Sequence, residues 1–148
     1  MIKQITNTFE KERAIQKCDS AFPIGICSRD DYDKIFKKID TYADFIVAYE
    51  DGEIAGYAAI YNNDLESRTA YITMIGVLES FQRRHIGNSL ITACKEMATM
   101  KGMNAIRLEV ISTNAKAISF YEKNGFVFEK ACSDSSFYMI FFLHESTN

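Results

Sequence analysis

The stretch Ile75-Gly76-Val77-Leu78-Glu79-Ser80-Phe81-Gln82-Arg83-Arg84-His85-Ile86-Gly87 decides how this chain is read. An apolar run ends, a short polar turn follows, and a helical pattern opens at Ile86. That pattern keeps Ile86, Leu90, Cys94, Met97 and Ala98 on one stripe and Asn88, Thr92, Lys95 and Thr99 on the wet side. Backbone N–H groups in the first turn of a helix lack partners, and the helix dipole adds positive potential there, so such a turn can seat a diphosphate. Gly87 would let the backbone come close to the phosphates, and Arg83 and Arg84 put two cations at the rim. The same residues also fit an ordinary β–α connection with a solvated basic turn.

Working outward, Tyr71 to Leu78 reads as a strand that is apolar on both faces and therefore central. Upstream, Phe45–Tyr49 and Ile54–Tyr61 form a hairpin about Asp51-Gly52, and Asn62-Asn63-Asp64 marks a loop. Residues 8–18 carry weak helical periodicity from Phe9, Ile15 and Cys18. Residues 30–40 carry a clear one from Tyr32, Ile35, Phe36 and Ile39, with Ser28 as the N-cap and Asp31 three residues on. Downstream, the helix over 86–101 stops at Lys101-Gly102, and a strand spans 105–111. A helix over 114–124 turns Ala117, Ile118 and Tyr121 inward and places Gly125 at C′. Strands over 126–132 and 136–143 follow. The order α-α-β-β-β-α-β-α-β-β predicts an α/β (α+β) domain on a single mixed sheet flanked by helices.

The 148 residues fit one domain, 1–148, and 47% hydrophobic with 25% charged residues is an ordinary globular balance. A net charge of −3 argues against a nucleic-acid partner held by a general basic surface. Cys18, Cys27, Cys94 and Cys132 form no C-x-x-C pair, so no metal is expected and they read as buried or free thiols. The first seven residues lack the apolar run of a secretion signal, and no stretch reaches ~18 apolar residues, so no membrane partner is expected and the cytoplasm is the expected address.

The segment from Ile75 onward resembles the GNAT superfamily of acetyl-CoA-dependent N-acetyltransferases. The family's Gln/Arg-x-x-Gly-x-Gly/Ala signature stands here as Gln82-Arg83-Arg84-His85-Ile86-Gly87, with His85 where the first glycine usually lies. Histidine is among the residues better able to adopt unusual backbone angles. A second block is similar too: Leu108-Glu109-Val110, then Asn114 to Tyr121 as Asn-x-x-Ala-x-x-x-Tyr, then Gly125-Phe126. The two blocks cover residues 71–128. The resemblance implies a mostly antiparallel, twisted sheet with central strands splayed at the cofactor site, and acetyl-CoA (coenzyme A) as cofactor. It implies a cofactor site made from Ile75, Val77, Gln82, Arg83, Arg84, His85, Ile86, Gly87, Asn88, Asn114 and Tyr121. The N–H of Val77, at a bulged strand end, would meet the charge growing on the thioester oxygen.

By the same resemblance Tyr121 is the general acid for the departing thiolate, its alternative being a plain buried aromatic. Asn114 caps its helix and contacts the pantetheine arm, its alternative being the capping role alone. Glu109 resembles the general base of relatives that acetylate protein N-termini, its alternative being a carboxylate held in the strand. Tyr71, placed on one strand face with Val77, together with Glu79 and ordered water, are rival bases. His85 reads as part of the turn and His144 as a tail residue.

A non-catalytic acyl-CoA sensor and an α/β domain that merely imitates the turn are the competing readings. Gly-x-Gly-x-x-Gly and Gly-Lys-Ser/Thr are both absent, which excludes a dinucleotide fingerprint and a P-loop. The expected acceptor is an amine, a small molecule first and a peptide N-terminus second, and the assembly a monomer or homodimer. Tyr32, Phe36, Tyr61 and Tyr138 are candidates to line the acceptor slot.

Overall fold

The computed structural model describes residues 1–143, so His144 lies outside the described residues. In chain order the elements are β1 (Ile2–Gln4), α1 (Thr8–Cys18), α2 (Tyr32–Tyr42), β2 (Ala43–Glu50), β3 (Glu53–Tyr61), β4 (Thr69–Val77), α3 (Ile86–Met100), β5 (Ala105–Ile111), α4 (Ala115–Lys123), β6 (Val127–Ala131) and β7 (Ser136–Phe142). They build one seven-stranded sheet in the order β1-β2-β3-β4-β5-β7-β6. Among the described residues only β4 and β5 run parallel, and a parallel pair needs a crossover, which α3 supplies.

Two cores sandwich the sheet. On one face Ile86, Leu90, Ile91 and Cys94 of α3 meet Ala70, Ile72, Ile106 and Leu108, with α4 on the flank. On the other face Ala14, Ile15 and Cys18 of α1 and Ile39 of α2 meet Phe45, Val47, Tyr57 and Ala59. The fully buried Ala58 and Ala59 leave room for helices on both sides.

Three readings change. β1 is an extra edge strand, invisible to patterning because it is three residues long and held by backbone pairing of Lys3 with Val47. The second helix begins at Tyr32, so Ser28 is not its cap. Asp31 stands at the N-cap but gives its carboxylate to the Arg29 guanidinium (2.9 and 3.1 Å) instead of to the helix. Lys95 is not on a wet face: its ammonium donates to the Asn124 carbonyl (2.6 Å) and lies 3.8 Å from the Phe141 ring centre.

The most consequential local feature is a bulge in β4. Ala59 pairs with Met74 but Ile60 pairs with Ile72, leaving Thr73 without an opposite number. One extra residue inverts the alternation of faces. Ala70 and Ile72 precede the bulge and Ile75 and Val77 follow it, yet all four pack on the α3 core, while Met74 turns to the α1/α2 core. Tyr71 and Val77 are therefore on opposite faces, against the expectation from counting by twos, and the bulge lies at Thr73 and not at Val77.

Candidate active site

Beyond the bulge the sheet forks. β4 and β5 pair only over Thr69–Tyr71 and Ala105–Arg107, after which β4 stays with β3 and β5 with β7. The fork is a gap through the sheet. A cleft of about 220 Å³ fills it, walled by Ile75 and Leu108, with Asn114 and Tyr121 on the α4 side and Phe22 and Pro23 on the other. Phe22 is brought there by a braced loop: the Asp19 carboxylate accepts the Ile26 and Cys27 N–H groups (2.8 and 3.3 Å), and a side chain at Gly25 would strike that carboxylate at 2.2 Å. The Phe22 ring then lies where a Cβ on Gly76 would be only 2.7 Å away.

The fork exposes backbone donors. Leu78 N–H bonds to Ala55 C=O (2.8 Å), so the Leu78–Ala55 pair is the hydrogen-bonded kind and the next, Val77–Gly56, is not. Alternation then directs the N–H groups of Val77 and Ile75 away from β3, toward the gap that β5 has left. These are the groups a ligand lying along the fork would meet.

The turn after β4 leads to the open end of α3. Arg83 (φ 69°) and His85 (φ 60°) both adopt left-handed backbone, and His85 is the N-cap with no side-chain cap bond. The amides of Ile86, Gly87 and Asn88 are thus left without intrahelical partners. The Ile86 side chain is buried, so only its backbone serves the turn. Gln82 is committed at both ends: its Nε2 donates to Val77 C=O (3.1 Å) and its Oε1 accepts from Lys116 Nζ (2.7 Å), pinning β4 to α4. Arg84 is steadied by Glu50 (3.9 Å) and by the Phe81 ring (5.4 Å), while Arg83 is exposed. Gly87 has a packing reason as well: a Cβ there would meet the Phe120 ring at 3.1 Å, so its smallness permits α3 to pack on α4. The exposed Asn88 carboxamide lies 3.5 Å from that of Asn124.

Tyr121 and Glu109 both line the cleft, the first from α4 and the second from β5. Burial, aided by the Cys94 thiol, pushes the Tyr121 phenol up to about 12, so it stays protonated at neutral pH. Asn114 caps α4 through Oδ1, which accepts Ala117 N–H at 3.1 Å, leaving its Nδ2 as the free donor. Glu109 also borders a second, larger cavity of about 770 Å³ that opens on the α2 side, and Thr73 and Met74 are shared by both. Tyr71, Tyr61 and Tyr42 line that larger cavity. Burial and the Glu109 carboxylate push Tyr71 up to about 12, so its phenol is already protonated and cannot take a proton from an amine. Glu79 is exposed in the turn after β4 and lines neither cavity.

Of the aromatic candidates for an acceptor slot, Tyr61 alone lines the large cavity. Tyr32 and Phe36 stack on each other against the α1/α2 core (6.1 Å), and Tyr138 lies beneath Arg107 and Lys130. Thr73, Met74 and Phe22 reach the cleft without having stood out in the sequence. Thr73 is there because of a bulge and Phe22 because of a loop brace, and neither leaves a periodic signal.

An open α3 terminus, a forked sheet with amides directed into the gap and a capped α4 on its flank are the features that set this fold apart. The chain belongs to the GNAT acetyltransferase family, whose model matches residues 10–126. It is similar to N-alpha-acetyltransferase 60 of Xenopus tropicalis, 30% identical over 105 residues, covering 63% of this chain and 43% of that one. It is likewise similar to the streptothricin acetyltransferase of Streptomyces lavendulae, 33% identical over 84 residues, covering 57% of this chain and 44% of that one. The chain thus spans less than half the length of these two curated relatives. Its fold matches the PaiA N-acetyltransferase of Thermoplasma acidophilum, solved with coenzyme A, at a TM-score of 0.65 and 21% identity, covering 96% of this chain and 99% of that one. No described helix is long and apolar enough to cross a membrane.

Proposed function

We propose that this chain is an acetyl-CoA-dependent N-acetyltransferase acting on a primary amine by direct attack. The observation that carries the reading is the fork: unpaired amides at Ile75 and Val77 lie in a gap through the sheet, with a protonated phenol on one side and a carboxylate on the other.

The residues fit the cosubstrate. The amides of Ile86, Gly87 and Asn88, with Arg83 and Arg84, suit a diphosphate. Ile75 and Val77 N–H and Asn114 Nδ2 suit the amide-bearing pantetheine arm. Acetyl-CoA supplies an activated thioester, so the chain needs no covalent nucleophile of its own. Glu109 takes the proton that an ammonium must lose before it can attack. Val77 N–H stabilises negative charge on the thioester oxygen. Tyr121 gives its proton to the departing sulfur. Gln82 holds Val77 in place and does not bind the phosphates itself.

The acceptor enters by the larger cavity, whose volume of about 770 Å³ suits a small molecule. A peptide N-terminus is the second reading, favoured by Glu109 and by the kind of relative represented by N-alpha-acetyltransferase 60. Calorimetric titration with acetyl-CoA, run beside a thiol-release assay over small amines and short peptides, tests both. Binding with amine-dependent release is expected. Absence of binding would return the turn at 82–87 to an ordinary connection, and binding without release from any amine would favour a sensor.

A further inference from the structure

Ser136 is one of three polar or charged residues that are buried among the described residues, at 6% exposure, and it sits beside an exposed carboxylate. In the β5–β7 ladder Glu109 faces Tyr138 and Ile111 faces Ser136, so Glu109 and Ser136 share one face of the sheet. The Ser136 hydroxyl is 2.6 Å from Glu109 Oε2 and 2.9 Å from the Ser133 hydroxyl. Ser133 Oγ in turn accepts Ser135 N–H (3.2 Å). The turn that carries them is tied down: Ser136 C=O accepts Cys132 and Ser133 N–H, both at 3.1 Å, and Ser112 closes on Ser135 C=O with its N–H (2.8 Å) and hydroxyl (3.1 Å).

Donor logic fixes the direction of this chain. An ionised carboxylate only accepts, so Ser136 must donate to Glu109. The Ser136 oxygen then has only lone pairs to offer, so Ser133 must donate to it. All the hydrogens point toward Oε2. Glu109 would otherwise be a three-torsion side chain free on an exposed strand face, with a large rotamer entropy to lose.

We propose that Ser136 is a positioning residue for the acetyl-transfer reaction: it holds Oε2 of Glu109 so that Oε1 faces the acceptor amine. Charge-assisted hydrogen bonds are the strong ones, and a bond this short restricts the carboxylate to one orientation. The inference rests on Glu109 being the base.

The test uses the full chain with Ser136→Ala, Ser136→Thr, Glu109→Gln and the Ala/Gln double variant, with thermal melts to show that each folds. Ser136→Ala should lower kcat about tenfold or more with the KM for acetyl-CoA unchanged, and Ser136→Thr, which keeps the hydroxyl, should restore it. In the Glu109→Gln background Ser136→Ala should cost nothing further, because the group it positions is gone. Independently of turnover, the Glu109 carboxyl ¹³C resonance, assigned by its loss in Glu109→Gln, should move in Ser136→Ala and hold in Ser136→Thr. An unchanged kcat in Ser136→Ala, a fully additive double variant, or an unmoved resonance would overturn the proposal. Full activity in Glu109→Gln would instead sink the base assignment on which it rests.

Discussion

Replacing Tyr121 by Phe removes one oxygen and nothing else that packs. The ring lies 5.4 Å from that of Phe120 and 5.9 Å from that of Phe126, contacts a phenylalanine keeps. The influences on the Tyr121 hydroxyl are burial and the Cys94 thiol, with no hydrogen bond among them, so its loss strands no partner. Stability should therefore stay within about 0.5 kcal/mol, on the order of 1–3 °C in Tm for a chain of this size. Catalysis should respond very differently. A positioned general acid is worth about 10²–10⁴ in rate, or roughly 2.7–5.4 kcal/mol of barrier. Because burial keeps the phenol protonated up to about 12, the acid form is complete across the neutral range, and the deficit should be the same at every pH between ~6 and ~9. Thiol release at saturating acetyl-CoA gives kcat, calorimetry gives acetyl-CoA affinity, and a thermal melt gives Tm. A kcat within threefold of wild type would refute the acid role. So would a lost rate that comes with lost affinity and a melting point lowered by several degrees, which would make Tyr121 a packing residue.

Two further outcomes follow from the same geometry. Burial pushes the Cys18 thiol up to about 11 and Cys94 to about 12, from an ordinary 9.0, and the Tyr71 and Tyr121 phenols to about 12 from 10.0. Each is raised on folding, so its contribution is whole below its unfolded value and lost as pH climbs through its folded one. The urea midpoint should therefore fall from about pH 9 and steeply by pH 11, and a flat profile over that span would mean that these groups are not buried as described. Gly56→Ala would place a Cβ 2.5 Å from the Gly76 carbonyl and 3.1 Å from Val77 Cα, pushing the end of β4 outward. We expect destabilisation of about 1–3 kcal/mol together with weaker acetyl-CoA binding, read by melt and calorimetry; unchanged values of both would show that the strand end can shift freely.

Much of this was legible in the chain because local chemistry and global placement agree. The α3 start announces itself through a polar turn before a 3.6-residue stripe, and His85 does take the left-handed backbone its position required. Asn114 caps α4 and Gly125, at φ 92°, follows it. What was not legible depends on pairing between distant segments. The bulge at Thr73 exists only relative to β3, and periodicity within β4 cannot show it, so counting by twos puts Tyr71 on the wrong face. Ser28 lies outside the second helix because that helix opens only at Tyr32, with Asp31 at the cap, and the contact of Gly87 with Phe120 is made across two helices. The Glu109–Ser136 bond joins residues 27 apart and has no sequence signature.

The parallel seam between β4 and β5 is three residue pairs long, and it is the direct bond between the leaf β1–β4 and the leaf β5–β7–β6. Two twisted leaves thus share a short spine, with α3 as the strut across it. Anything lying in the fork and bonded to both leaves acts as a splint: it supplies the missing rungs of the ladder and fixes the Ile75–Val77 edge of one leaf against Glu109 of the other. The amides of Ile75 and Val77 then double as strain gauges, trading hydrogen with solvent quickly when the leaves are unbraced and slowly when they are held.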